Sequence, residues 1–377
     1  MKKKIRQAVP TQAHAAVFAK AGKPLEIRAY PLTPPAGTTV LLKLELSGIC
    51  GTDIHILEGR LPIPPAFIPG HEFIGHIVAM GPRARRDGLG SPLKPGDLAI
   101  ACVAKPCGAC FNCRQGETAS CLNFGVTNIR NPDEAPHLFG GFAEMLYQQA
   151  CYLVKVPPTL DLDAVAAFPC AGPTAIRAFD FAGNLRKGEL VVVQGTGPVG
   201  LFAIAWAARA GCTVVAIGSG SQPARMRLAR RLGADHVLDY RKVPEADRLA
   251  FVNKLAARLN RGNGADVVFE ASGSPAAIPE GMNLCRTLGR YIVPGQYSAS
   301  GTVAIHPELI TFRALKIIGS GQYKLADIAT YLKFLGRHRD LQREFARCIT
   351  HRYPVRDAVN AIRNASSGQS VKGVFTA

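Results

Sequence analysis

Leu190-Val191-Val192-Val193-Gln194-Gly195-Thr196-Gly197-Pro198-Val199-Gly200 joins an apolar run to a glycine-rich turn and opens an alanine-rich stretch. The apolar run reads as a buried strand, and Val199 to Ala210 reads as a long helix. A G-x-G-x-x-G pattern alone is weak evidence; set between a strand and a helix, each glycine acquires a task. Gly195 makes the tight turn, Gly197 lets the backbone approach a pyrophosphate, and Gly200 lets helix and strand pack closely. Pro198 and Val199 begin the helix, whose free N–H groups and positive dipole end suit phosphate.

The same rhythm continues outward. Thr213–Ile217 is a second apolar strand, Pro223–Leu232 a helix, and His236–Leu238, Ala265–Glu270 and Gly289–Val293 are further strands with helical stretches between them. Strands alternating with helices at this spacing imply a doubly wound parallel sheet. The second strand of such a sheet ordinarily ends in an acidic residue that binds the cofactor's ribose 2′-hydroxyl. Here it ends Ala216-Ile217-Gly218-Ser219-Gly220-Ser221, with no carboxylate. Ser219 and Ser221 offer hydrogen bonds beside Gly218, and Arg225 sits just beyond with a planar fork suited to a 2′-phosphate. NAD and NADP both stay open, with discrimination expected to be under about tenfold. An Asp at 218 is expected to shift the preference toward NAD.

Residues 13–165 read differently. Short β-like runs such as Val40–Leu46 and Phe73–Val78 are broken by Gly and Pro, and Pro62, Pro64, Pro65 and Pro69 mark an irregular loop. A compact all-β unit with large loops is expected. The division is drawn at 1–170 for this unit, 171–316 for the sheet-and-helix unit, and 317–377 for a return to the first.

Bulk properties narrow the class. Apolar residues form 47% of the 377, enough for a sizeable core, and charged residues only 19%, which argues against wholesale disorder. No apolar run approaches the ~20 residues needed to span a bilayer. Met1-Lys2-Lys3-Lys4-Ile5-Arg6 is basic but lacks the apolar stretch of a signal peptide, so residues 1–12 read as a short tail on a cytoplasmic protein with no membrane partner. The net charge of +18 raises nucleic-acid binding. The arginines, however, are scattered (Arg83, Arg85, Arg86; Arg225, Arg227, Arg230, Arg231; Arg337, Arg339, Arg343) with no interleaved aromatics. They read as solvated helix faces, and no nucleic-acid partner is expected.

Eleven cysteines without an export signal point to reduced thiols. Cys107, Cys110, Cys113 and Cys121 fall within one short segment, with Gly108 and Gly116 supplying turns. Four sulfurs at such spacing suit a closed tetrahedral zinc site, structural because no coordination position stays open. An iron–sulfur cluster is the chemical rival. Cys102, Cys151, Cys212, Cys285 and Cys348 sit in apolar runs and read as buried core thiols. Two further segments carry chemistry: Gly48-Ile49-Cys50-Gly51-Thr52-Asp53-Ile54-His55 and Gly70-His71-Glu72-Phe73-Ile74-Gly75. A third, Phe168-Pro169-Cys170-Ala171-Gly172, lies where the two units meet, and a junction of that kind forms a cleft.

These motifs, together with Gly140-Gly141-Phe142-Ala143-Glu144, stand in an order that resembles the zinc-containing medium-chain alcohol dehydrogenases across residues 13–377. The resemblance implies a chaperonin-10-like β-barrel catalytic unit and a Rossmann cofactor unit. It implies a catalytic zinc on Cys50, His71 and Cys170, with Glu72 beside the metal as an occasional fourth ligand or a neighbour of the ligands. Asp53 then orients His71 through its other ring nitrogen. It also implies a structural zinc on the four-cysteine lobe, hence two zinc ions per chain, and a homodimer or homotetramer built through the strand read at Ala314–Gly319. The implied chemistry is hydride exchange between a nicotinamide and an alcohol or carbonyl compound, with the proton leaving through Thr52 and then His55.

Some positions depart from the better-known members. Gly51 stands where some carry a phosphate-binding arginine, and Lys372 matches a second basic position expected to compensate. Val103 matches a position often held by an aromatic that narrows the pocket, which leaves room for a bulky substrate unless Phe124, Phe139 or Tyr147 refills it. Rival readings are a zinc-free enoyl or quinone reductase, which would lack Cys50, His71 and the cysteine lobe; a zinc-stabilised nucleic-acid-binding protein; and a non-enzymatic cofactor sensor.

Overall fold

The computed structural model describes residues 10–61, 63–296, 298 and 300–377; residues 1–9 of the expected tail, and Pro62 of the proline-rich loop, lie outside the described residues. The first unit runs β1 (Gln12–Val17), β2 (Glu26–Pro31), β3 (Thr39–Gly48), α1 (Gly51–Leu57), β4 (Phe73–Met80), β5 (Leu98–Ala101), β6 (Ala104–Lys105), α2 (Phe111–Arg114), β7 (Gly125–Val126), β8 (Met145–Gln149) and β9 (Leu153–Lys155). After α3 (Leu162–Ala167) and α4 (Ala171–Phe181), the second unit alternates β10 (Leu190–Gln194), α5 (Pro198–Arg209), β11 (Thr213–Gly218), α6 (Pro223–Arg231), β12 (His236–Asp239), α7 (Glu245–Arg258), β13 (Ala265–Glu270), α8 (Ala277–Leu284), β14 (Cys285–Val293), α9 (Glu308–Phe312) and β15 (Lys316–Gly319). The chain closes with α10 (Leu325–Arg337), α11 (Arg339–Ala346), β16 (Ile349–Pro354), α12 (Ala358–Ser366) and β17 (Lys372–Thr376).

The second unit is a 6-stranded sheet in the order β12-β11-β10-β13-β14-β15, every pair parallel. Helices on both faces bury the central strands completely, which is why β10 reads as an unbroken apolar run instead of an alternating one. The strand order reverses between β10 and β13, and a doubly wound sheet binds its ligand in the crevice at that point. The glycines of the turn have distinct reasons. Gly195 has φ of 101°, and a Cβ on Gly200 would sit 2.0 Å from the Gly195 carbonyl oxygen. Nothing lies within 4 Å of where a Cβ of Gly197 would be, so the backbone there is open on the cleft side.

In the first unit β3 pairs antiparallel with both β4 and β8, and the 7-stranded sheet also takes in β5, β9, β16 and β17. The last segment therefore does add strands to the first unit. The expected division at 316/317 falls at the start of β15, which pairs with β14, so the cofactor sheet extends through Gly319. The return is also not wholly to the first unit: one apolar core joins Ile74 and Ile100 of the first sheet, Val191 and Val193 of the second, and Tyr331 and Phe345 of α10 and α11. Of the five cysteines read as core thiols, Cys102, Cys212, Cys285 and Cys348 are buried; Cys151 is exposed, because it sits in a turn between β8 and β9 and not in a strand.

Part of the basic excess is structural. Asp266 takes both Arg261 and Arg286, Glu189 takes Arg290, and Glu280 takes Arg248. The Arg248 pair joins α7 to α8, and the others gather at the start of β10, β13 and β14, so these arginines hold elements of the second unit together in addition to the solvated helix faces. Among the described residues no helix is long and apolar enough to cross a membrane.

Candidate active site

Three separated segments converge at the seam between the units. Cys50 follows β3 and caps α1 in an extended conformation, and its N–H donates to Asp53 Oδ2 at 2.9 Å. The other carboxylate oxygen of Asp53 lies 3.3 Å from His71 Nδ1. One buried carboxylate thus fixes the backbone of the cysteine and the ring of the histidine, leaving His71 Nε2 for a metal. His71 and Glu72 sit on the turn before β4. That turn is pressed under Phe142: a Cβ on Gly70, whose φ is 91°, would meet the Phe142 ring at 2.5 Å. This accounts for the glycine-rich Gly140–Phe142 segment as packing for the site. Cys170 stands at the start of α4. The ligand atoms of Cys50, His71, Glu72 and Cys170 all lie within 4.8 Å of one another.

The electrostatics are those of a cation site. A hydrogen bond from Cys170 holds the Cys50 thiol well below its ordinary value, and the same bond with burial pushes Cys170 well above it. Burial works against a charged His71, yet the Asp53 and Cys50 charges outweigh it and hold the imidazole well above its usual value. Two sulfurs competing for one proton beside a carboxylate-backed imidazole suit a divalent soft-to-borderline metal. Glu72 is pushed up to about 7, by burial first and against the pull of Lys372.

Lys372 is 2% exposed, and its ammonium donates to Glu72 Oε2 and, at 3.2 Å, to the Ile49 carbonyl. Its ammonium is thus held as a counter-ion to the Glu72 carboxylate while Lys372 still lines the cleft. The position after Cys50, Gly51, stays open, with nothing within 4 Å of a Cβ there.

Thr52 Oγ1 lies 3.8 Å from Cys50 Sγ, beside the cluster. His55 Nδ1 is 2.7 Å from Ser298 Oγ, a partner that no local sequence signal announces because it comes from the loop after β14. Burial, then Arg60, lowers the His55 pKa below its ordinary value. No hydrogen bond joins Thr52 to His55 among the described residues, although both line the same cleft.

That cleft has a volume of about 460 Å³. Cys50, His71 and Cys170 stand among its lining, as do Gly197, Pro198, Val199 and Arg225. Ile56, Leu61, Ile63, Phe67, Val103, Val126 and Ile129 form an apolar stretch of its wall, and Asn128, Thr174 and Tyr323 also line it. Val103 lines it as expected, whereas Phe124, Phe139 and Tyr147 do not refill the space. Tyr147 is turned away to bond the Thr33 backbone, and Phe139 lies under Arg130. Phe67 and the isoleucines come from an irregular loop and α1, where periodicity gives no warning.

At the cofactor end Arg225 reaches the cleft, its Nη2 donating to the Ser370 carbonyl at 3.1 Å and its buried Nε without a partner. Gly218 does not face the cleft. A Cβ there would lie 2.6 Å from Met226 Sδ and 2.7 Å from the Thr196 side chain, so an Asp at 218 would first have to displace them. Ser219 Oγ is engaged with Ser221 Oγ at 2.7 Å.

The cysteine lobe is a second cluster. The four sulfurs of Cys107, Cys110, Cys113 and Cys121 lie within 4.8 Å of one another. Backbone amides point at them: Cys110 N–H donates to Cys107 Sγ and Cys107 N–H to Cys121 Sγ, each at 3.3 Å. Hydrogen bonds from the Ala109 and Cys110 amides lower the Cys107 thiol to about 6. The set is closed and all-sulfur, with no position left for substrate.

Comparison with known proteins agrees with this geometry. Residues 36–158 match the alcohol dehydrogenase GroES-like domain and residues 198–337 the zinc-binding dehydrogenase domain. The chain is 31% identical over 367 residues to 5-exo-hydroxycamphor dehydrogenase of Pseudomonas putida, covering 96% of this chain and 98% of that protein. It superposes on an alcohol dehydrogenase of Thermotoga maritima with a TM-score of 0.89 at 30% identity, covering 97% and 99% of the two chains. A zinc-binding dehydrogenase of Sinorhizobium meliloti bound to NADP gives a TM-score of 0.81 at 27% identity, covering 98% of this chain and 100% of that one. The fold and site define a nicotinamide-linked oxidoreductase. The chain belongs to the zinc-dependent medium-chain alcohol dehydrogenase family.

Two separate ligand sets generate the first expected outcome. Metal analysis of fully loaded protein should find two zinc ions per chain. Cys50→Ala should abolish turnover and keep one zinc with the fold intact, while Cys110→Ala should lower thermal stability. One zinc in the loaded wild type, or iron in the cysteine lobe, would contradict the assignment.

Proposed function

We propose that this enzyme interconverts an apolar, bulky alcohol and its carbonyl compound by hydride exchange with NAD or NADP. The observation that carries the reading is the placing of Cys50, His71 and Cys170 in one cleft with the open backbone of Gly197. Cys50, His71 and Cys170 would hold the catalytic zinc, with Glu72 beside it, and Cys107, Cys110, Cys113 and Cys121 a structural one. Zinc supplies Lewis acidity toward the substrate oxygen, and the nicotinamide gives or takes the hydride.

The chain's own residues do the rest. Thr52, next to Cys50, is the hydroxyl best placed to take the alcohol proton. His55, its pKa lowered by burial and Arg60, is neutral near pH 7 and so able to accept that proton onward, with Ser298 fixing its ring. Asp53 keeps His71 in one ring orientation. The apolar wall excludes water and selects substrate. A polyol placed against Ile56, Phe67 and Ile129 would leave hydroxyls unpaired, at about 1–3 kcal/mol each. Similarity to 5-exo-hydroxycamphor dehydrogenase supports the same class.

We also propose a homodimer, or a tetramer built from dimers, paired through the edge strand β15. Ile317 on that edge is 43% exposed and Phe312 just before it 81%, a liability for an edge left uncovered. Sedimentation should give a multiple of the 40.2 kDa chain mass, and a monomer at every concentration would contradict it.

An alcohol panel on metal-replete protein tests the substrate class. Cyclic and branched secondary alcohols should exceed polyols and hydroxy amino acids in kcat/KM by about tenfold or more; a polyol as the best substrate would overturn the reading. His55→Gln should slow alcohol oxidation near pH 7 by about a hundredfold or less, with the deficit shrinking as pH rises and solvent takes the proton. Because the folded His55 pKa lies below about 6.5, the wild-type rate should gain its rising limb below that pH. Identical pH profiles in the two proteins would remove His55 from the proton path.

A further inference from the structure

The loop after β11 has no carboxylate of its own, but the structure brings one to it from the neighbouring strand. Asp239 ends β12 in register with Gly218. Its Oδ1 accepts the Gly220 N–H at 2.9 Å and the Arg241 N–H at 3.1 Å. Its Oδ2 takes no hydrogen bond among the described residues, and a Cβ on Gly220 would lie 2.0 Å from it. The carboxylate therefore fills the space into which a side chain at 220 would project. Gly220 stands about 20 residues past Gly200, the interval at which a ribose-binding acid is ordinarily found.

We infer that Asp239 supplies the missing ribose-binding carboxylate from the next strand, with Oδ2 free to accept the adenosine 2′-hydroxyl and to repel a 2′-phosphate, so that the enzyme prefers NAD. The inference rests on the reading of the cleft as a nicotinamide dinucleotide site. Hydrogen bonds from the Gly220 and Arg241 amides keep the carboxyl below its ordinary value, so it is charged at neutral pH. The facing loop Gly218–Ser221 carries hydroxyls and no charged side chain. Ser219 and Ser221 bond each other, and Arg241 and Lys242 follow on its own segment. Arg225 is turned to the Ser370 carbonyl and lines the cleft with Gly197. This replaces the even-handed cofactor use expected from the β11 loop alone.

Asp239→Asn keeps the shape and the acceptor for the Gly220 amide while removing the charge. Gly220→Ala displaces the carboxylate without touching it chemically, and serves if the first variant folds poorly. Calorimetric titration of metal-loaded protein with NAD, NADP, 5′-AMP and 2′,5′-ADP reads binding directly, and steady-state kcat/KM with each dinucleotide accompanies it. The wild type should bind NAD about tenfold or more tighter than NADP, and 5′-AMP tighter than 2′,5′-ADP. Either variant should move both ratios toward or past unity, mostly by tightening the 2′-phosphorylated members. Binding of NAD with ratios unmoved by either variant would overturn the role of Asp239 alone. Failure of all four probes to bind the wild type would overturn the dinucleotide reading and this inference with it.

Discussion

Negative charge gathered in a buried cluster is the constraint on which the site depends. Two cysteine sulfurs, an imidazole and a carboxylate are held within 4.8 Å of one another at a domain seam. Groups that would be anionic together in a dry pocket repel, and the surroundings are built to answer that repulsion. Lys372 reaches from β17 to neutralise Glu72, and Asp53 reaches across from α1 to back His71. The ends of β3, β4, β17 and α4 are brought to one point, and this convergence explains why the C-terminal strand must return to the first sheet.

The cleft follows from the same convergence. Cys50 and His71 belong to the first unit, and Cys170 begins the helix that packs on α5 of the second. Joining them fixes the two sheets against each other with the Gly195–Gly200 turn on one side and the apolar wall on the other. The shared core of Ile74, Val193 and Phe345 ties the two sheets together, so the spacing between the Cys50, His71 and Cys170 cluster and the Gly197 turn is set by packing. Large side chains are absent from the position of Val103, and the resulting room is bounded by Phe67 and the isoleucines.

Much of this was legible in the sequence, and the reasons are local. The β10–Gly200 turn, the cysteine lobe and the two segments around Cys50 and His71 are short motifs whose chemistry depends on neighbours a few residues away. What stayed hidden depends on contacts between distant segments. Sequence gives the charge of Lys372 and not its direction, so its contact with the Glu72 carboxylate has no local signal. The end of β11 shows in sequence that Gly218 is small and not which way it faces, and the strand points it at Met226 and Thr196. Asp239 lies outside the window in which an acid is sought, since it crosses from a neighbouring strand. Ser298 and Phe67 come from irregular loops, where no period exists to reveal which way a side chain faces.

X-ray absorption at the zinc edge of the metal-loaded protein tests the central claim most directly. With six cysteine sulfurs and one histidine nitrogen divided between two clusters, the mean ligand shell should be mostly sulfur with a minor light-atom share. Cys170→Ser should reduce the sulfur share while the metal content stays at two. An all-sulfur shell, or a shell unchanged by that substitution, would show that Cys50, His71 and Cys170 do not hold a metal together.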